Sequence, residues 1–254
     1  MSGEDHRVDR RGFLKVVGAT GAAAGVSATS TAMAQGSPPA AGEHAGHDHA
    51  MPTPASAGAA RSALDGFVFF NPDEVSFVKA ALDTLVPPDP TGPGGSEAGC
   101  ATYMDRQLGG AFGRGARLYM QGPFAEGTPQ QGYQLPLAPA DLIRIGIADV
   151  DAYAMATRKK GLRDLDATTR AAVLTEVEQG KAQLAHVPGP VWFNQFLALT
   201  MEGYFGDPIY GGNKDKAAWK MIGFPGVPAM YVNMIEEFRN KPYTGETQSI
   251  QDFA

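Results

Sequence analysis

Apolar residues recur at helical spacing along much of the chain, and most of these runs carry their own start and stop signals. Asn71-Pro72-Asp73-Glu74 supplies an N-cap, a first-turn proline and two acids for the positive end of a helix dipole. Val75, Val78, Leu82 and Leu85 then repeat every three or four positions until Pro87-Pro88 stops the run. After a Pro/Gly-rich loop, Cys100, Tyr103, Met104 and Leu108 share one face of a second predicted helix. The Gly-rich piece 109–134 holds at most a short helix around Arg114–Met120. Pro139-Ala140-Asp141 opens a long helix carrying Leu142, Ile145, Asp149, Ala152, Tyr153 and Ala156. Arg158-Lys159-Lys160 and Gly161 complement its dipole and end it. Leu165-Asp166 makes a staple and cap for a helix with Val173, Leu174 and Val177. Pro190 starts another, with Trp192, Phe193, Phe196, Leu197, Leu199 and Thr200. No alternating pattern long enough for a regular strand occurs. The expected fold is mainly α: a single irregular helical domain over residues 63–254, with long Gly/Pro-rich loops.

Two segments precede that domain. Residues 1–34 have the parts of an export signal: Arg10 and Arg11 with Phe13 and Leu14 behind them, a mild apolar run, and small residues Ala32 and Ala34 before Gln35. The paired arginines match the twin-arginine address, although Asp9 stands where Ser or Thr is commoner. Cleavage is expected between Ala34 and Gln35. Residues 35–62 are Ala, Gly, Pro and Ser with almost no large apolar side chain, the composition of a flexible linker. His44, His47 and His49 within it could chelate a divalent metal, weakly and without selectivity. A free-standing metal-binding protein is therefore the alternative reading of the chain.

Composition narrows the chemistry. The net charge of −6 over 254 residues becomes −7 once residues 1–34 are removed. An acidic surface argues against nucleic acid as a partner. Cys100 is the sole cysteine, which excludes an internal disulfide, a Cys-rich iron–sulfur or zinc site and a haem held through Cys-x-x-Cys-His. It reads as buried, with a bridge to another chain left open. No dinucleotide fingerprint, phosphate loop or nucleophile elbow is present. Gly109–Gly115 reads as a flexible turn. His186 is the only histidine after Pro72 and reads as a helix-end residue. Asp149 with Asp151, and Glu176 with Glu178, lie two apart on helices, point to different faces and read as solvated. No catalytic, cofactor-binding or metal-binding residue is assigned to the folded part.

One stretch stands apart. From Thr200 to Gly226, aromatic rings are interleaved with glycines and prolines, poor material for regular structure. Its rings either pack back on the chain's own helices or face another protein, where Tyr and Trp dominate binding energy. Glu202-Gly203-Tyr204-Phe205, Asp207-Pro208, Tyr210-Gly211-Gly212-Asn213, Trp219-Lys220 and Ile222-Gly223-Phe224-Pro225-Gly226 together resemble the gluconate 2-dehydrogenase subunit 3 family. The likeness spans about residues 65–240, including the Asn71–Pro88 helix, and the twin-arginine leader before it agrees with the family. It implies a non-catalytic small (gamma) subunit, with no cofactor of its own. The partners it implies are an FAD-containing glucose–methanol–choline-type catalytic subunit, a multihaem cytochrome c subunit carrying haem c, and the twin-arginine translocase. The small subunit's leader would export the flavin-loaded partner and assist its maturation, in a periplasmic complex attached to the inner membrane. Tyr204, Phe205, Asp207, Tyr210, Asn213, Trp219, Lys220 and Phe224 carry over as interface or scaffold candidates.

Overall fold

A computed structural model describes residues 66–253, apart from 126 and 228–230. The export signal, its cleavage site and the His-bearing linker lie outside the described residues. Helices α1 (Pro72–Leu85), α2 (Cys100–Gly109), α3 (Pro139–Arg158), α4 (Ala167–Glu178) and α5 (Gly189–Phe205) form the body, followed by the short α6 (Ala217–Ile222) and α7 (Val232–Ile235). Among the described residues there is no strand, only isolated bridges such as Gly226 with Gln248. The mainly α expectation holds.

Local signals explain several helix starts. Asn71 accepts from Glu74 N–H while Glu74 accepts from Asn71 N–H, each at 2.9 Å, a reciprocal capping box. Asp166 caps α4 by accepting from Thr169 N–H at 3.0 Å. α5 is the central element, packed on α2, α3 and α4. Its Trp192, Phe196 and Leu199 are buried with Leu82, Met104, Ile143 and Val150. Trp192 stacks on Phe196 at 5.1 Å and meets Phe77 edge-on at 6.2 Å. Gly146 of α3 makes that packing possible, because a Cβ there would collide with the Trp192 indole.

Three details differ from the sequence expectation. Residues 111–117 form successive turns rather than a helix around Arg114–Met120. The segment lies across the start of α3, where Gly113 C=O accepts from Ala140 N–H at 3.0 Å. On α3 the buried positions are Pro139, Leu142, Ile143, Gly146, Ile147, Asp149, Val150 and Ala154, whereas Ala152 and Ala156 are exposed. The helix packs on both α2 and α5, so its buried face is wider than one stripe. It ends at Arg158 because Lys159, not Gly161, takes the left-handed conformation (φ 64°).

Buried and half-buried carboxylates tie loops and helices into this body. Asp105 on α2 accepts backbone N–H bonds from Val68, Phe69 and Phe70 at 2.7–2.9 Å, tying down the segment before α1. Asp149 accepts from His186 N–H at 2.8 Å and Val187 N–H at 3.2 Å, and pairs with His186 Nδ1 at 2.7 Å. Asp151 accepts from Leu162 N–H at 2.8 Å. Glu176 accepts from the Tyr153 hydroxyl at 2.9 Å and from Arg158 at 2.6 Å. The solvated reading of Asp149, Asp151 and Glu176 is thereby corrected; Glu178 alone of the four is exposed. Arg170 ties α4 to α1 through Ala80 C=O and to the preceding turn through Leu162 and Leu165 C=O.

Candidate functional site

The aromatic Gly/Pro stretch is more regular than its composition predicts. α5 continues through Thr200 to Phe205, single turns follow at Pro208–Tyr210 and Lys214–Lys216, and α6 completes it. The helix persists because Thr200, Gly203 and Tyr204 fall on its buried face, so packing outweighs glycine's low propensity.

Asn213 organises the stretch. Its side chain is wholly buried; Nδ2 donates to Gly206 C=O at 2.9 Å and Oδ1 accepts from Ala218 N–H at 3.0 Å. It thus joins the end of α5 to the start of α6. Its backbone is left-handed (φ 44°), as are those of Asp215 and Lys216 (φ 58° and 59°), conformations that non-glycine residues adopt at a cost. Lys214 N–H donates to Ala98 C=O at 3.0 Å, bringing this turn against the start of α2. Beside it, Gly212 passes so close to α5 that a Cβ would run into Gly203 C=O.

The neighbouring motif residues also face inward. The Trp219 indole N–H donates to Phe205 C=O at 2.6 Å, and its ring meets Phe224 edge-on at 5.1 Å. Tyr204 donates its hydroxyl to Pro93 C=O at 3.0 Å, with burial raising its pKa. Asp207 accepts from Ile209 N–H at 3.0 Å and from Ile250 N–H at 2.9 Å, so it holds both the turn after α5 and the C-terminal turn 250–253. That C-terminal turn is also fastened by Lys216 Nζ to Asp252 at 2.7 Å. This bond, with Ser249 N–H, lowers the Asp252 pKa to about 2.

The interface candidates therefore divide. Tyr204, Asp207, Asn213 and Trp219 are buried and act as scaffold. Phe205 is half-buried, whereas Tyr210, Lys220 and Phe224 reach solvent. Exposed apolar side chains flank the scaffold: Ile209 beside Tyr210, and Met221 and Ile222 before Phe224. Ile209, Met221 and Ile222 escaped the sequence reading because their exposure is set by tertiary packing.

The chain belongs to the gluconate 2-dehydrogenase subunit 3 family. The family's model matches residues 72–226, from the first residue of α1 to the glycine that bridges to Gln248. A search of curated proteins and a search of solved structures returned no match. The match is narrower than the sequence likeness at both ends, yet it takes in the whole Asn213 scaffold.

Other candidate chemistry is placed as follows. Cys100 is fully buried at the first turn of α2, and burial pushes its thiol up to about 12. A thiol so placed is unreactive and out of reach of another chain. His186 is exposed with Asp149 holding its Nδ1, but among the described residues no hydroxyl or thiol is hydrogen-bonded to its ring. Among the described residues no cluster of His, Cys, Asp or Glu could hold a metal, and no helix is long and apolar enough to cross a membrane. A hollow of about 350 Å³ at the start of α1 is bordered by ion pairs, Arg144 with Glu74 at 3.0 Å and Arg163 with Asp73 at 2.6 Å, that neutralise one another.

Proposed function

We propose that this chain is the non-catalytic small subunit of a periplasmic FAD-dependent sugar or sugar-acid dehydrogenase complex. It binds the flavoprotein subunit, carries it across the membrane behind the Arg10-Arg11 signal, and assists its maturation. The observation that carries this reading is membership, over residues 72–226, of a family named for a dehydrogenase subunit. The division of the motif supports it. Asn213, Asp207 and Trp219 spend their hydrogen bonds holding loop to helix. Tyr210, Lys220 and Phe224 are left facing outward from that held surface.

A preorganised surface with exposed aromatic and apolar side chains suits docking, because little side-chain and loop entropy remains to be lost on association. The flavoprotein supplies FAD and the oxidation chemistry; a haem c subunit receives the electrons and attaches the complex to the inner membrane.

Co-expression tests the reading. The flavoprotein alone should accumulate as inactive cytoplasmic protein, and adding this chain should restore periplasmic dye-linked dehydrogenase activity. Replacing Arg10 and Arg11 with lysine should return that activity to the cytoplasmic fraction. Equal activity and location with and without this chain would overturn the proposal.

A further inference from the structure

At the other end of α5 from the family motif, the loop preceding α3 forms a groove with the first turns of α5. One part, about 450 Å³, is lined by residues 117–120, Phe124 and residues 131–135; a second, about 380 Å³, is lined by Val191, Asn194 and Gln195. The two share Gly132, Tyr133 and Gln195 and are therefore one continuous depression. Each part lies within the size range of small-molecule sites.

Its lining has a distinct chemistry. Tyr119 is 81 % exposed and Phe124 37 %, so both present ring surface to a ligand. Tyr133 is half-buried and fixed by its hydroxyl, which donates to Leu137 C=O at 3.2 Å. Around these rings stand four side-chain amides with hydrogen-bonding capacity to spare. Among the described residues, the side chains of Asn194 and Gln195 have no hydrogen-bond partner. Gln131 uses only Oε1, accepting from Thr128 N–H at 2.7 Å, and Gln134 only Nε2, donating to Gln131 C=O at 3.2 Å. Arg117 is the one ionisable cation on the lining, and no carboxylate lines either part.

Each amide offers a donor and an acceptor to the alternating hydroxyls of a polyol, and aromatic faces cover the apolar C–H face of a pyranose ring. A lining without carboxylates selects against cationic ligands. We infer that this groove is a carbohydrate-binding site that takes a pyranose through its amides and the Tyr119, Phe124 and Tyr133 rings. It is built by this chain alone and does not depend on the proposed role as a dehydrogenase subunit.

Saturation-transfer NMR on the full-length chain with D-glucose, D-gluconate and maltotriose tests it. At least one of the three should bind saturably, with a dissociation constant in the millimolar range or below. A preference for gluconate would assign Arg117 to the carboxylate; a preference for maltotriose would assign the groove to a longer glycan. Tyr119→Ala should weaken binding roughly fivefold to tenfold, the loss of one aromatic contact, and Gln195→Ala should weaken it comparably. Lys160→Ala, exposed on the turn after α3, should leave it unchanged. Both groove substitutions are at accessible side chains, and an unaltered melting temperature would show that the fold persists. No saturable binding of any sugar, binding indifferent to both groove substitutions, or capture of a proline-rich peptide in place of the sugars would overturn the inference.

Discussion

Asn213 combines a left-handed backbone with a side chain that pairs two backbone groups on either side of the turn between α5 and α6. Removing the amide in Asn213→Ala leaves Gly206 C=O and Ala218 N–H unpaired and puts alanine at φ 44°. The expected cost is about 3 kcal/mol or more, read from urea denaturation. Asn213→Gly keeps the conformation and should cost about 1 kcal/mol less. Asp105 on α2 acts similarly, and Asp105→Ala would strand three N–H donors. Amide exchange at Val68, Phe69 and Phe70 should then accelerate well before the helices exchange. These roles were closed to sequence reading. The partners of Asp105 and Asp149 are backbone N–H groups and the His186 imidazole, 35 to 38 residues away, and nothing local distinguishes such a carboxylate from a solvated one. The burial of Cys100 was legible because a lone cysteine on an apolar face has few other uses.

At the scale of elements, what was legible is what is local. Asn71 with Glu74, and Asp166 with Thr169, are caps written within four residues, and both helices start where expected. The breadth of the α3 face was not, because it follows from packing against α2 and α5 together. Gly146 marks where that packing is tightest. Gly146→Ala should force Trp192 aside and cost about 3 kcal/mol, visible as a lower urea midpoint with a near-unchanged slope. The C-terminal turn 250–253 has a pH dependence of its own. Asp252 has a depressed pKa, so its contribution is present above the ordinary Asp value and is lost as pH falls toward about 2. The Ser249 and Ile250 amide resonances should shift toward disordered positions across that acid window. In Lys216→Met, which removes the first cause of the depression, the transition should move to higher pH.

For the whole molecule, the family motif does two jobs at two depths. Its existence was legible in the run from Glu202 to Gly226. Its division into inner scaffold and outer face was not, because Tyr204 and Tyr210 are alike in sequence context and differ only in what folds over them. The proposed role requires that the outer face dock a flavoprotein while the inner residues hold that face in shape. The most direct measurement is a binding titration, by calorimetry, of the purified chain with the FAD-loaded catalytic subunit. The triple substitution Tyr210→Ala, Lys220→Ala, Phe224→Ala is compared with the unsubstituted chain. The unsubstituted chain should bind saturably and the triple variant should lose at least about 2 kcal/mol, as expected for exposed aromatic anchors, with the melting temperature little changed. Unchanged affinity in the folded triple variant, or no binding by the unsubstituted chain, would contradict that role.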